Sequence, residues 1–191
     1  MENVFNKEIS YIKDDRLKGI LQKMVALLPE YFYHIPASST GKYHPEYALG
    51  DGGLLRHTKV VVRVDYELLS NPAFGSSYTD EEKDLMLMAM VMHDGVKSGY
   101  VQEKYTRFDH PLLVAQLIKD NKDKLSLSDT ETDFLTHVIS SHMGPWTTDY
   151  QGNEILPAPV DKYQKFVHLC DYLASKKFLL VKFDNNNDII G

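Results

Sequence analysis

At 191 residues the chain is the size of one domain, and 43% hydrophobic with 25% charged residues is the balance of an ordinary soluble globular fold. A formal net charge of −6 argues against a non-specific hold on long nucleic acid, which needs a basic surface, but leaves room for a small anion gripped by local cations. No apolar run reaches the ~20 residues of a membrane span, the first residues lack a signal peptide's basic-then-apolar order, and the one cysteine, Cys170, permits no internal disulfide, so a cytoplasmic setting is expected.

Residues 8–28 carry Ile9, Ile12, Leu17, Ile20, Leu21, Met24, Val25 and Leu28 at near-helical spacing, which predicts one amphipathic helix ending near Pro29. Tyr31-Phe32-Tyr33, Pro36, the Ser38–Gly41 turn cluster and Pro45 make 30–50 an irregular connection. After Gly50-Asp51-Gly52-Gly53, a helix is predicted from Leu54 to Leu69, with Val60, Val61, Val64 and Leu68 as its buried stripe. His57 shares that stripe with Val61, four residues on. Alone, it is more often a hydrogen-bonded core histidine than a ligand.

Thr79 with Glu82 forms a capping box that opens a helix over Asp80–His93. Its interior, Leu85 to Met92, is apolar all round, as in a central helix surrounded by others. His93-Asp94 closes the run. Residues 95–109 form a polar and aromatic loop holding Lys97, Tyr100, Lys104, Tyr105, Arg107 and Phe108. Pro111 suits the first turn of a short apolar helix, which puts His110 at its N-terminal end. Ser128 with Glu131 is a second capping box, and its helix runs through Leu135, Val138, Ile139 and His142 until Gly144-Pro145 stops it. His137 and His142 point ~140° apart on that helix, and His142 shares the apolar face, so His137 is expected half-exposed or outside the ligand shell. The last helix runs from about Asp161 and sets Asp171 amid Val167, Cys170 and Ala174, with His168 on an adjacent face. The tail beyond Phe183 is polar and is expected to be loose.

No strand is predicted. The expectation is an all-α, single-domain helical bundle, with 1–50 as an N-terminal helix and connection, 51–178 as the core and 179–191 as a polar tail. Buried-looking ligand types then stand on or beside different helices: His57, His93-Asp94, His110, His142 and Asp171. A His–Asp hydrogen bond at a helix end would explain one such pair. Several such positions in one bundle are better explained by convergence on a divalent ion, since imidazole nitrogen and carboxylate oxygen are good ligands for Zn, Mn or Fe.

The order His57, His93-Asp94, Asp171 resembles the HD-domain superfamily of metal-dependent phosphohydrolases over roughly residues 50–178. Gly52-Gly53-Leu54-Leu55-Arg56-His57-Thr58 is similar to the Gly-Gly-Leu-Leu-x-His-Thr motif of HD-type 3′→5′ exonucleases. Asp109-His110 and Val138–Gly144 resemble the extra histidines of its bimetallic branch. Two departures stand out: Gly95 directly follows His93-Asp94 where family members often read His-Asp-x-Gly-Lys, and Met143 follows His142 where some bimetallic members have a second histidine.

The resemblance implies an HD-type fold and a divalent ion (Mn, Fe, Zn, Ni or Mg) held by His57, His93, Asp94 and Asp171. Asp94 would bridge to a second ion at His110 and His142. It further implies hydrolysis of a phosphoester by a metal-activated water, with Asp94 and Lys97 as catalytic residues. Lys97, Arg56 and Arg107 are candidate phosphate binders, and Trp146 is a candidate stacking surface for a base. Lys97 as a solvated loop cation and Trp146 as a loop pin remain open alternatives. Three functions follow: hydrolysis of nucleotides or similar small phosphate esters, 3′→5′ exonuclease action on short single strands, or a non-catalytic domain that keeps a metal or nucleotide. Small substrates are favoured over the exonuclease because such exonucleases usually carry a separate nucleic-acid-binding domain.

Overall fold

A computed structural model describes residues 4–42 and 44–190. The fold is all-α. Its helices are α1 (Asn6–Ile9), α2 (Asp15–Val25), α3 (Gly53–Ser70), α4 (Pro72–Gly75), α5 (Asp80–Met92), α6 (His110–Leu125), α7 (Asp129–Ser140) and α8 (Lys162–Ala174). Two 3-10 turns, Glu30–Tyr33 and Glu46–Ala48, interrupt the first long connection. Among the described residues there is no strand, only isolated bridges between Thr148 and Glu154 and between Phe183 and Ile189. No described helix is long and apolar enough to cross a membrane.

Helix α5 is the axle. Every residue from Leu85 to Met92 is buried, because α2, α3, α7 and α8 all pack around it. Each large apolar side chain so enclosed contributes ~1.5–3 kcal/mol over exposure. The capping boxes at Thr79–Glu82 and Ser128–Glu131 are both formed, fixing where α5 and α7 begin.

Three elements differ from the sequence expectation. The single helix over 8–28 is two helices, α1 and α2. The buried carboxylate of Asp84 accepts the backbone N–H of Lys13 at 3.0 Å and of Asp14 at 2.8 Å, which pulls the chain out of the helix there. Asp14 then caps α2 by accepting from Arg16 and Leu17. α1 buries Ile9 and α2 buries Leu17, Ile20, Leu21, Met24 and Val25, so both pieces feed the apolar spacing that read as one helix. Helix α7 stops at Ser140, leaving His142 in the turn beyond it, and α6 runs on to Leu125.

The tail is docked, not loose. Asp184 accepts the N–H of Asn186 and Asp188 at 2.8 and 2.9 Å, folding 183–189 into a tight turn. That turn reaches back to the N-terminal half: Lys7 donates to the carbonyl of Ile189 at 3.1 Å, and buried Lys59 pairs with Asp188.

Candidate metal centre

Five separate pieces of backbone deliver side chains to one end of α5. His57 sits in the second turn of α3, whose start is pressed against the preceding connection: a Cβ on Gly53 would lie 2.4 Å from the carbonyl oxygen of Ala48. His93 and Asp94 follow directly after α5. His110 is the first residue of α6, His142 lies two residues past α7, and Asp171 is in α8. His57, His93, Asp94, His110 and His142 are essentially sealed from solvent, whereas Asp171 keeps 19% of its side chain exposed and marks the open side.

The two oxygens of Asp94 face different partners. Oδ2 is 3.4 Å from His93 Nε2 and 3.8 Å from His57 Nε2. Asp171 Oδ1 closes that group at 3.0 Å from His57 Nε2 and 3.7 Å from His93 Nε2. Asp94 Oδ1 instead lies 2.9 Å from His110 Nε2 and 3.6 Å from His142 Nε2. Two sets of donor atoms, His57–His93–Asp94 and Asp94–His110–His142, each fit within 4.8 Å.

Three of these histidines are held the same way. Their Nδ1 atoms face the carbonyl oxygen three residues earlier: His93 to Met90 at 2.7 Å, His110 to Arg107 at 2.6 Å, His142 to Ile139 at 2.9 Å. A carbonyl oxygen can only accept, so Nδ1 carries a proton, and in the neutral ring Nε2 then keeps its lone pair for the centre. That leaves an electrostatic problem. The Nε2 atoms of His110 and His142 stand 3.2 Å apart, and two neutral imidazoles in this tautomer present lone pair to lone pair. His93 Nε2 and Asp94 Oδ1 are buried without a hydrogen-bond partner, at ~1–3 kcal/mol each if left so. A cation between these atoms removes the conflict, and N/O donors of this kind suit Mn, Fe or Zn. The residues present fit a divalent ion.

The shifts at His57, His110, Asp94 and Asp171 point the same way, and that at His93 runs against them. Burial pushes the imidazolium of His57 and of His110 down, so both rings are neutral. Burial acts likewise on His93, but the carboxylates of Asp94 and Asp171 outweigh it and raise its pKa. Burial opposes ionisation of Asp94 and Asp171 too; Lys97 and His93 override it for Asp94, and His57 and His93 for Asp171, so both stay well below the usual carboxylate range. Neutral imidazoles and ionised carboxylates are what metal ligation requires.

The remaining candidates divide. Lys97 pairs with Asp94 Oδ2 and is almost buried. Arg56 is not available for phosphate: its guanidinium donates to the carbonyls of Tyr47 at 2.6 Å and Leu49 at 2.9 Å and to Asn187 Oδ1 at 2.8 Å. One residue from His57 on a helix, it points ~100° away and fastens the 46–49 turn and the tail instead. Arg107 is forked onto Asp109 and also bound to Glu103, while its N–H donates to the Lys97 carbonyl at 2.9 Å. It therefore shapes the 95–109 loop. His137 lies apart, half-exposed and 2.6 Å from Asp161. Trp146 is 52% exposed and near-parallel to Tyr172 at 6.2 Å.

Three neighbours escape sequence reasoning. Tyr31 donates to the Gly99 carbonyl at 2.6 Å and accepts from the Ser98 N–H at 3.3 Å, locking the loop that carries Lys97; burial pushes its hydroxyl up to about 12. His168 Nδ1 donates to the His142 carbonyl at 2.8 Å. His44 meets the His57 ring edge-on at 5.0 Å, and burial, with His57 and Lys97 nearby, brings its pKa down to about 3. Tyr31 and His44 lie in an irregular stretch without periodicity, so no pattern ties them to the helices they touch.

A family model described as HD domain matches residues 54–176. A curated 3′-5′ exoribonuclease YhaM of Listeria welshimeri serovar 6b is 26% identical over 152 residues, 75% of this chain and 45% of that protein. The chain thus spans less than half the length of that relative. No solved structure matches it.

Proposed function

The chain belongs to the HD-domain family, matched over residues 54–176, and from this we propose that it is a metal-dependent phosphohydrolase acting on phosphoester bonds of nucleotides. The observation that carries the reading is the division of Asp94: one oxygen toward His57 and His93, the other toward His110 and His142.

In this reading His57, His93, Asp94 and Asp171 hold one divalent ion, and Asp94, His110 and His142 hold a second. A bound divalent ion supplies Lewis acidity toward the phosphoryl oxygen and lowers the pKa of a water to near neutrality. The Nδ1–carbonyl bonds keep the imidazoles of His93, His110 and His142 aimed, so their lone pairs need no reorganisation. Lys97 is tethered on the loop that Tyr31 locks. With a divalent ion held beside Asp94, the Lys97 ammonium would be free to neutralise a non-bridging phosphate oxygen as a point charge. Asp171 borders the open side, where substrate enters. Trp146, exposed and stacked beside Tyr172, is the candidate surface for a base, and base–aromatic stacking contributes ~1–3 kcal/mol.

A second reading, 3′→5′ exonuclease action on short single strands, is favoured by the YhaM relative and by the exposed Trp146. Both readings are tested by incubating the protein with Mn, a nucleotide panel and an end-labelled oligoribonucleotide. Phosphate or nucleoside release from monomers alone supports the first, and stepwise shortening of the oligomer supports the second. Silence on both, with metal bound, leaves a non-catalytic domain.

A further inference from the structure

His93, His110 and His142 each have a backbone carbonyl that accepts from Nδ1. His57 does not. Its Nδ1 is buried and has no hydrogen-bond partner. The carbonyl three residues back is no substitute, because His57 lies inside a helix whose carbonyls serve the backbone ladder. An imidazole whose Nδ1 proton has no acceptor gains nothing from keeping it there rather than on Nε2, the atom that faces Asp171 and Asp94. Three rings are locked in one tautomer and the fourth is not.

A candidate for the missing acceptor lies on the neighbouring ring. The His44 ring packs edge-on against His57, with centroids 5.0 Å apart and planes at 80°, and His44 Nδ1 is also buried without a partner. Two unpartnered buried nitrogens on touching rings each cost ~1–3 kcal/mol. One hydrogen bond between them, direct or through a single buried water, removes both costs. His44 comes from the 34–50 connection, outside the 54–176 stretch matched by the family model.

We infer that His44 is a positioning residue for the centre: its Nδ1 accepts the Nδ1 proton of His57 and thereby fixes the His57 Nε2 lone pair on the divalent ion held with His93, Asp94 and Asp171. This rests on His57 being a ligand. Loss of the acceptor loosens metal at that set of donors and leaves Asp94–His110–His142 untouched. Partners of this kind are worth about 10–100-fold in metal affinity.

The test is calorimetric titration of the metal-free full chain with Mn. His44→Ala is expected to weaken one binding event about 10–100-fold, with the other unchanged, and His44→Asn, whose side-chain oxygen can accept in place of Nδ1, is expected to restore most of it. Parental affinity in His44→Ala, or His44→Asn as weak as a folded His44→Ala, overturns the inference. His57→Ala separates the two levels: if it too keeps parental affinity, the ligand assignment itself has failed. Should the His44 variants not fold, nitrogen-15 spectra of the histidines in the zinc-loaded parent decide. The expected pattern is a protonated Nδ1 on His57 and an unprotonated Nδ1 on His44, and a proton on His44 Nδ1 overturns it.

Discussion

Lys97 and Asp94, three residues apart, form an ion pair inside the wall of the centre, with the ammonium on the carboxylate oxygen that faces His57 and His93. The pair explains how a sealed carboxylate stays ionised before any metal arrives. With an ion bound at Asp94, it would also set ammonium and metal in competition for one oxygen. Lys97→Met is therefore expected to lower the melting temperature of the metal-free protein, to enlarge the rise in melting temperature on adding Mn, and to cut phosphoester hydrolysis about 10²-fold. Thermal melts with and without Mn, alongside a rate assay, check all three. Unchanged melts and rate would make Lys97 a bystander.

Asp94 is the one residue common to both donor sets, so its loss cannot be confined to one. Asp94→Ala is expected to abolish hydrolysis and to strip bound metal from protein purified without chelators. Elemental analysis reads this directly, and parental metal content in the variant would refute the shared role. His137→Ala is the contrast: its ring pairs with Asp161 on an outer face, and its metal content should stay parental.

How far the sequence reached follows from where each residue lies. His57, His110 and Asp171 sit on helices with a clear apolar period, and a ligand-type residue among apolar neighbours shows itself there. His93-Asp94 closes a wholly apolar run and could not be missed. Arg56 misled because its neighbour His57 is a candidate ligand; adjacency in a helix means different faces, and the carbonyls it serves belong to a turn with no pattern. The break between α1 and α2 was hidden because its cause, Asp84, lies some seventy positions away in sequence. The docked tail was hidden similarly, since Lys7, Arg56 and Lys59 meet Asn187–Ile189 only in three dimensions.

Gly144 tests how His142 is held outside any helix. Its φ of +68° is left-handed backbone, and a Cβ there would fall 2.2 Å from His168 Cε1. The same His168 ring donates to the His142 carbonyl at 2.8 Å. Gly144→Ala therefore pushes away the ring that fixes the His142 turn. Strain of ~1–3 kcal/mol is expected in a denaturant melt, together with selective weakening of one of two metal-binding events in titration. A variant with normal melts and both events intact would mean that the turn holds itself.

Asp65 carries the clearest pH prediction. It lies two turns beyond His57 on α3, fully buried, with neither oxygen hydrogen-bonded. Burial alone pushes its pKa well above the usual 3.8, and its titratable neighbours, Cys170 and Tyr78, are neutral acids at pH 7 that offer no charge to offset this. A carboxyl raised on folding is favourable only while protonated. Below pH ~3.9 both folded and unfolded states hold the proton and nothing is lost. As pH climbs past that value the unfolded chain releases its proton while the folded one does not, and stability falls, by at most ~1.4 kcal/mol per pH unit, until the folded group also ionises. Asp65→Asn removes the ionisation and keeps the shape. Its stability relative to the parent is therefore expected to rise as pH climbs from 4 in urea melts of the metal-free protein. Loss of the Asp94 and Asp171 charges at acid pH affects parent and variant alike and cancels in the difference. A difference that stays flat with pH, or one that turns against the variant near neutrality, would show that Asp65 is charged in the fold and has a partner.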